Sequence, residues 1–412
     1  MAFRIALSGL NASSQELQVI GNNVANASTT GFKQSRTEFA DIYAASNLGV
    51  TANAIGSGVK VASVSQQFNQ GNVSFTNNNL DLAISGNGFF RLNDNGVNVY
   101  TRAGAFGVDR NGYVVNSQNQ RLTAYSADSN GNITGALSDL QLSTADLPPQ
   151  ATTSAAVQAN LDSRTGTLTS ASFDPTDPST YTNSTTFTAY DSLGNPRLTT
   201  LYFVHTGGGS WDMYTSVDGT VIDSDPGTSV GAGGNARTLT FGATGALTST
   251  STVTTGAIPG MGGSGSFTMD LNLGGMTQYG SNFAVNTLNQ DGFSTGRLSG
   301  VDIGDTGVVT ARYTNGQSKT LAQVALANFA NPQGLRQLGD TTWAETYDSG
   351  AALVGAPGTG SLGLVQSGAL EGSNVDLTEQ LVSMITAQRN FQANAQVIKT
   401  SDAITQTIIN MR

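Results

Sequence analysis

Two short segments of the chain place serine, histidine and glycine in arrangements that hydrolases use. Residues 227–231 (Gly-Thr-Ser-Val-Gly) fit G-x-S-x-G, in which the serine, here Ser229, is the nucleophile. That motif needs a strand-to-helix turn, with an acid and then a histidine after the serine. The only histidine, His205, precedes Ser229, and no helical pattern follows. Since His205 ends an apolar run just before three glycines, a hairpin loop is expected there, and no catalytic residue is predicted.

Ligands for phosphate groups and metals are also sparse. Residues 260–265 and 358–363 fit G-x-G-x-x-G, but neither lies between a strand and a helix of a βαβ unit. Asp218, Asp223 and Asp225 are close in sequence but lack EF-hand spacing and its terminal glutamate. One histidine and no cysteine cannot supply a usual zinc site. We therefore expect no cofactor and no metal.

The composition suits a surface that packs against copies of itself. Charged residues make up 11% of the chain, against roughly 25% in a typical soluble domain. The net charge is −10 and the four lysines are scattered, so no nucleic-acid partner is expected. No run of about 18 apolar residues occurs, so we expect no membrane insertion.

Both ends of the chain carry a helical apolar pattern. In residues 2–26 it follows heptad spacing, with small residues at two positions. Residues 376–412 contain no glycine or proline, and Ser373 or Asn374 is expected to cap that helix. Asp376 suits the positive end of the helix dipole. A helix of about 35 residues would be about 50 Å long.

The two apolar stripes form the predicted assembly interface. A helix docked on its own domain is the common alternative. Neither stripe is apolar enough to form a stable helical hairpin alone, so both would need neighbouring copies. The predicted interface residues are Leu7, Leu10, Leu17 and Val24 at the N-terminal end, and Leu377, Leu381, Met384, Phe391, Ala395, Ile398, Ile404 and Ile408 at the C-terminal end.

Between the two ends the pattern is that of β-strands. Short apolar runs, among them 97–101 and 197–204, are separated by turns rich in glycine, asparagine and threonine. Asn95-Gly96 and Asn111-Gly112 predict two-residue turns with positive φ at both residues. The composition shifts to Thr, Ser and Gly over about 151–278, which predicts a separate inserted β-domain.

Together these patterns predict a mostly β protein with α-helical termini and nested domains. The N- and C-terminal helices pair as a coiled-coil-like inner layer, and two β-domains lie outward. The predicted boundaries are 1–26 and 374–412 for the terminal helical assembly domain, 27–70 and 360–373 for connecting segments, 71–148 and 285–359 for a discontinuous middle β-domain, and 149–284 for the inserted outer β-domain.

Several segments resemble the flagellar axial proteins of bacteria, the family of rod and hook subunits. Residues 20–33 (Ile-Gly-Asn-Asn-Val-Ala-Asn-Ala-Ser-Thr-Thr-Gly-Phe-Lys) are similar to the N-terminal signature of that family, and 79–90 to its core β motif. Residues 374–412, notably 386–391 (Thr-Ala-Gln-Arg-Asn-Phe), are similar to its C-terminal helix. Within the family, residues 185–196 resemble the outer domain of hook subunits.

The resemblance implies properties that spacing cannot show. Hook subunits polymerise into a curved hollow tube, a flexible universal joint that transmits torque from rod to filament. They lie outside the cell and are exported by the flagellar type III apparatus without a cleaved signal peptide. The partners implied are copies of the same chain, the distal rod, the hook cap and the hook–filament junction proteins.

Two other functions stay open at this level. A distal rod subunit of the flagellar basal body shares the terminal segments, although the large insertion at 149–284 argues against it. A secreted carbohydrate-active β-protein would need two carboxylates about 5–10 Å apart in one cleft. It would not need apolar stripes at both termini.

Overall fold

The computed structural model describes residues 2–42, 56–143, 145–226 and 235–410. Within them the chain forms one α-helix at each end and, between these, β-strands with short 3-10 helices at Ser170–Ser172, Pro178–Thr180 and Pro332–Gly334. The fold is therefore mostly β with helical termini, which confirms the predicted fold class. Neither of the two α-helices in these ranges combines the length and the apolarity needed to cross a membrane.

The two terminal helices pack against each other in antiparallel orientation. The helices are α1, Ala2–Ala25, and α2, Leu377–Asn410. Gly9, near the start of α1, lies against Asn394 in the second half of α2. At the opposite end of the pair, Asn23 Nδ2 donates a hydrogen bond of 3.0 Å to Gln380 Oε1. These two contacts fix the register of the helices.

Asp376 caps the start of α2. Its Oδ1 accepts hydrogen bonds from the backbone N–H groups two and three residues later, at 2.8 and 3.2 Å. The prediction that Ser373 or Asn374 is the cap was wrong, because Asn374 is used differently. Its Oδ1 accepts from the Gln34 N–H at 2.8 Å, and its Nδ2 donates to the Gln67 carbonyl at 2.7 Å. Asn374 thus joins the segment before α2 to the segment after α1.

The strands are short and fall in three stretches of the chain. The first stretch contains β1 Ser35–Asp41, β2 Val59–Gln66, β3 Val73–Phe75, β4 Leu82–Ser85, β5 Phe89–Asp94, β6 Val97–Thr101, β7 Gly107–Val108, β8 Val114–Val115, β9 Arg121–Ala127 and β10 Ile133–Asp139. The second contains β11 Ser154–Asp162, β12 Asn183–Tyr190, β13 Pro196–Gly207, β14 Ser210–Val217, β15 Thr220–Ile222, β16 Arg237–Thr240, β17 Thr252–Thr254, β18 Asp270–Asn272, β19 Thr277–Tyr279 and β20 Ala284–Gln290. The third contains β21 Leu298–Ile303, β22 Val308–Tyr313, β23 Ser318–Val324, β24 Leu326–Asn328, β25 Arg336–Gly339, β26 Thr342–Ala344, β27 Leu353–Gly355, β28 Leu364–Ser367 and β29 Ala369–Glu371.

One compact unit is built from both ends of the chain. It comprises Met1–Thr144, Gly300–Arg312 and Ser318–Arg412. In its largest sheet β5 pairs with β6, β9 and β24, so strands from both halves of the sequence meet at β5. Phe90 and Leu92 of β5 are fully buried in the apolar core of this sheet.

The antiparallel strands β1 and β2 pack beside α1 in the same unit. The buried side chain of Asn23 joins α1 to β1. Its Nδ2 donates to the Ser35 carbonyl at 2.8 Å, and its Oδ1 accepts from the Ser35 N–H at 2.9 Å. A hydrogen-bonded buried amide of this kind holds the β1–β2 pair against the helix.

The second compact unit comprises Ala145–Ser299 and Tyr313–Gln317. It contains two five-stranded sheets, one built around β11 and the other around β13 and β14. Side chains from both sheets, among them Leu161 of β11 and Trp211 of β14, share one apolar core. The predicted insertion 149–284 falls inside this unit, and the finer predicted division of the chain stays a prediction.

The two predicted Asn-Gly turns differ in backbone conformation. At Asn95-Gly96 both residues have positive φ, 52° and 95°, as predicted for the β5–β6 hairpin. At Asn111-Gly112 only the glycine does, with φ of 84°, so the prediction for Asn111 was wrong. The Asp109 side chain closes this turn instead, since its Oδ1 accepts from the N–H groups of Asn111 and Tyr113 at 2.8 Å.

Candidate assembly interface

The face that α1 turns toward α2 consists mainly of small and polar residues. They recur at spacings of 3, 4, 3, 4 and 3, which is a heptad pattern. We call this set the inward row of α1: Ala6, Gly9, Ser13, Glu16, Ile20 and Asn23. Each member of this row lies one residue N-terminal to the corresponding position of the predicted apolar stripe. The heptad period was therefore predicted, but not the residues that occupy it.

The matching inward row of α2 contains several of the predicted residues. Its members are Gln380, Met384, Ala387, Phe391, Asn394 and Ile398, at spacings of 4, 3, 4, 3 and 4. Gln380 and Ala387 are buried, and the other members are half-buried. Ala395 is half-buried beside this row.

The Asn394 side chain of α2 fills the space beside Gly9, which explains why this position of α1 carries no side chain. A Cβ atom built on Gly9 would lie 2.6 Å from Asn394 Oδ1. A larger side chain at that position of α1 would displace the Asn394 side chain. The hydrogen-bonded Asn23 and Gln380 add a polar contact to the interface, and such a pair specifies the register of two helices. The leucines of the predicted stripe are consequently turned to the side.

The larger apolar side chains of the predicted interface lie on the flanks of the helix pair. The exposed ones are Leu7, Leu377, Leu381 and Ile404, at 40, 49, 50 and 56%. The half-buried ones are Leu10, Leu17 and Val24. Ile408 lies in α2, but its side chain is outside the described residues. The role of all these residues in assembly stays a prediction.

The heptad pattern missed other exposed apolar side chains of the helices. They are Phe3 on α1 and Val382, Ile385, Val397 and Ile409 on α2, between 46 and 66% exposed. Steps of four residues from Leu377 through Leu381 to Ile385 would have found part of this surface. The seven-residue repeat follows a single stripe, whereas α2 presents apolar side chains on more than one side.

Replacing Gly9 by valine is expected to disrupt the helix pair. The branched side chain would overlap the Asn394 side chain and push it away from its hydrogen bond to the Asn390 carbonyl, at a cost of about 1–3 kcal/mol. Helix content measured by circular dichroism should fall, and polymerisation should slow. Gly21→Val is the matched control, because a Cβ atom built on Gly21 meets nothing within 4 Å. Equal effects of the two substitutions would contradict the close packing at Gly9.

A buried ionic cluster joins the segments next to the helices to the β-structure. Glu371 Oε1 accepts a hydrogen bond from Lys33 Nζ at 2.6 Å, and its Oε2 accepts from Arg102 Nη1 at 3.0 Å. The three side chains are at most 4% exposed. Lys33 Nζ also donates to the Asn69 carbonyl at 2.7 Å, and Arg102 Nη2 to the Gly86 carbonyl at 2.8 Å. Each cation thus contacts a backbone carbonyl as well as Glu371, while the buried Nε of Arg102 has no hydrogen-bond partner among the described residues.

The cluster carries two cations and one carboxylate. Burial lowers the pKa of Lys33 and of Arg102, and the carboxylate of Glu371 opposes that shift in both. Without Glu371, two positive charges would remain out of water without a counter-charge. Lys33 follows α1 and Glu371 precedes α2, so the cluster brings the two ends of the chain together at the base of the helix pair.

The described residues of the motifs that resemble catalytic or metal sites lie within the β-structure, in packing contacts or ion pairs. His205 lies in the β13–β14 hairpin, as predicted, and its ring stacks on Trp211 at a centroid distance of 4.5 Å. Asp218 forms an ion pair of 2.6 Å with Arg197. Ser229 is outside the described residues. In the part of the chain that the structure describes, no group of three His, Cys, Asp or Glu side chains could hold a metal.

The models of four protein families match successive parts of the chain. Flagella basal body rod protein matches residues 3–33, and Flagellar hook protein FlgE/F/G D1 domain matches residues 83–160. Flagellar basal body protein FlaE D2 domain matches residues 160–293, and Flagellar basal body rod FlgEFG protein C-terminal matches residues 366–411. With its paired terminal helices and β-rich units, the chain is thus in the class of flagellar rod and hook proteins.

The chain belongs to the family of flagellar hook proteins. Flagellar hook protein FlgE of Escherichia coli (strain K12) is 41% identical over 424 residues, with 100% of both chains covered. The Flagellar hook protein FlgE of Salmonella typhimurium (strain LT2) is also 41% identical with full coverage, and that of Treponema pallidum (strain Nichols) is 34% identical with 98% of each chain covered. A structural role in the flagellar hook follows from this membership. Neither a distal rod subunit nor a carbohydrate-active protein is favoured.

A solved structure supports the fold. The crystal structure of Helicobacter pylori flagellar hook protein FlgE2 matches with a TM-score of 0.53. It covers 72% of this chain and 100% of its own, at 13% sequence identity. At that identity the match is evidence for the fold alone.

Proposed function

We propose that the chain polymerises through the α1–α2 pair into a curved hollow tube that joins rod to filament and transmits torque while it bends. The observation that carries this proposal is the set of exposed apolar side chains on the paired helices, Leu7, Leu381 and Ile385 among them. In this helix pair each helix covers the inward row of the other, but other apolar side chains stay exposed. Such a pair is suited to pack against further copies.

Covering the exposed apolar side chains of the helices contributes enough free energy to favour assembly. Leu381 is half exposed, and covering the rest of such a side chain contributes about 1 kcal/mol. Several side chains of this kind on each subunit, repeated over many copies, favour a polymer over separate chains. With 11% charged residues in the chain, few charges oppose the approach of identical surfaces.

The two kinds of structure in the chain suit two mechanical roles. Helices packed by interlocking side chains would form an inner layer that resists twisting. The β-rich units would contact neighbouring copies through polar, charge-poor surfaces that can slide, so bending would break few buried contacts. We also propose that the chain has no catalytic activity.

The further partners proposed are those implied by family membership. They are the distal rod, the hook cap, the hook–filament junction proteins and the flagellar type III export apparatus. Export without a cleaved signal peptide would place the assembled protein outside the cell, as part of the hook and basal body. Family membership supports this location, since the relatives that match over their full length are flagellar hook proteins.

Deleting residues 375–412 should abolish tube formation and leave a folded β protein. The deletion removes α2 and its Asp376 cap but none of the 29 strands found in the described residues. Electron microscopy should show curved tubes for the full chain and none for the truncated chain, while circular dichroism of the truncated chain should retain the β signal. Tubes formed by the truncated chain would overturn the proposed role of the helix pair. Deleting residues 1–25 should have the same effect, because each helix needs the other.

A further inference from the structure

A cleft opens where α1, α2 and the β1–β2 pair meet. Its volume is about 260 Å³. Ala12, Phe39 and Val59 contribute apolar walls, while Glu16 and Asn390 contribute polar groups. Apolar walls around a single carboxylate suit a cationic side chain, whose long aliphatic stem can lie along the walls while its charged end reaches the carboxylate.

Glu16 is the charged group of this cleft, and the described part of its own chain places no cation against it. It is the only acidic residue of α1. Within the described residues Glu16 takes part in no ion pair, and burial beside α2 raises its pKa with no opposing contribution from a cation. A carboxylate held partly out of water is destabilising when it is alone, and a cation brought into contact relieves that penalty.

The helix pair also carries cations that no acidic group of the described chain neutralises. Arg4, Arg389 and Lys399 are exposed and form no ion pair in the described ranges. The antiparallel register sets Glu16 level with Ala387, so Arg389 is only about 3 Å away along the axis. Arg389 lies on the side of α2 opposite the inward row and does not line the cleft. Its guanidinium therefore faces away from its own Glu16.

We propose that the cleft is a receptor site for an arginine of a second copy of this chain, with Arg389 of that copy as the occupant. This proposal rests on the proposed function, since it needs helix pairs packed side by side. Two copies at about the same height would place the Arg389 guanidinium of one against the Glu16 carboxylate of the other. A guanidinium binds a carboxylate through two parallel hydrogen bonds, which fixes orientation as well as distance. The site would thus set how neighbouring subunits align.

Cross-linking between single-cysteine chains tests the contact directly. The chain has no cysteine, so each substituted chain carries one thiol and every disulfide joins two molecules. Chains with Glu16→Cys and chains with Arg389→Cys, the latter enlarged by a tag, are copolymerised with an excess of the wild-type chain and oxidised. We expect a disulfide-linked pair of mixed mass. Lys399→Cys in place of Arg389→Cys is the control, and its yield should be several-fold lower.

The outcomes separate the receptor site from the proposed function. Tubes that form normally but give no mixed disulfide, or an equal yield with Lys399→Cys, would overturn the receptor site and leave the proposed function standing. A wild-type chain that forms no tubes at all would overturn both.

Charge exchange provides a second test that needs no cysteine. Glu16→Arg and Arg389→Glu should each raise the protein concentration needed for polymerisation by about tenfold, since each places like charges together. The double variant should recover most of that loss, because the pair is rebuilt with reversed polarity. Additive losses in the double variant would contradict the proposed contact. Lys399→Glu combined with Glu16→Arg should give no recovery.

Discussion

Replacing Glu371 by glutamine will lower the free energy of unfolding of the unit that contains it by about 3–5 kcal/mol. Glu371 is the single carboxylate between Lys33 and Arg102, and all three side chains are buried. The substitution leaves two cations out of water without a counter-charge. Removing one partner of a buried ion pair in this way is strongly destabilising. Urea unfolding followed by tryptophan fluorescence measures the loss. A Trp211→Phe background leaves Trp343 as the only reporter, and Trp343 lies in the same unit as Glu371.

The Glu38→Gln variant is the matched control for this measurement. Glu38 also contacts an arginine, Arg36, at 3.2 Å, but the Arg36 side chain is 67% exposed and that of Glu38 44%. Exposed pairs contribute about 0–1 kcal/mol, so this control should change stability little. If the two glutamine variants had equal stability, the cluster at Glu371 would not be the anchor that its burial indicates.

Replacing the whole cluster by apolar residues should be much milder than removing one partner. A variant with Lys33→Met, Arg102→Met and Glu371→Leu leaves no charge in this cluster to neutralise. Its stability should lie well above that of Glu371→Gln. This comparison tells a charge effect from a packing effect, since a packing defect would make the triple variant the weaker one.

The sequence predicts the elements of this protein better than their contacts. The helix predicted over 2–26 spans Ala2–Ala25, and that predicted over 376–412 spans Leu377–Asn410. The strand predicted at 97–101 has those bounds in the structure. Such elements depend on local patterns: apolar periodicity, the absence of glycine and proline, and turn residues at the ends.

What sequence reasoning missed depends on residues far apart in the chain. The predicted stripe of α1 was chosen for its leucines, but close packing favours small residues such as Gly9, one position away from a predicted one. Lys33, Arg102 and Glu371 give no local signal, because only the folded chain brings them together. Glu16 likewise gives no signal in the sequence, since only the packed helices show that no cation of the described residues lies against it.

Substituting aspartate for Leu381 will block polymerisation and leave the single chain folded. Leu381 is 50% exposed on α2, so in the separate chain the new carboxylate stays in water and should change stability by less than about 1 kcal/mol. In a polymer that covers this side of the helix, the same carboxylate would be buried in an apolar contact without a partner, at a cost of several kcal/mol. Sedimentation and electron microscopy should therefore show no tubes, while the thermal unfolding curve stays close to that of the wild type.

An aspartate at a polar position of the same helix is the control for the Leu381→Asp variant. Gln396 is polar and exposed on α2, so Gln396→Asp adds the same charge at a position that is already polar. It should still assemble. Phe391→Asp should differ from both, because Phe391 is in the inward row and its substitution should weaken the helix pair in the single chain as well. Assembly by the Leu381→Asp chain would show that this side of α2 faces solvent in the polymer, and the interface would then have to be sought at other exposed apolar side chains of α2, such as Val382 and Val397.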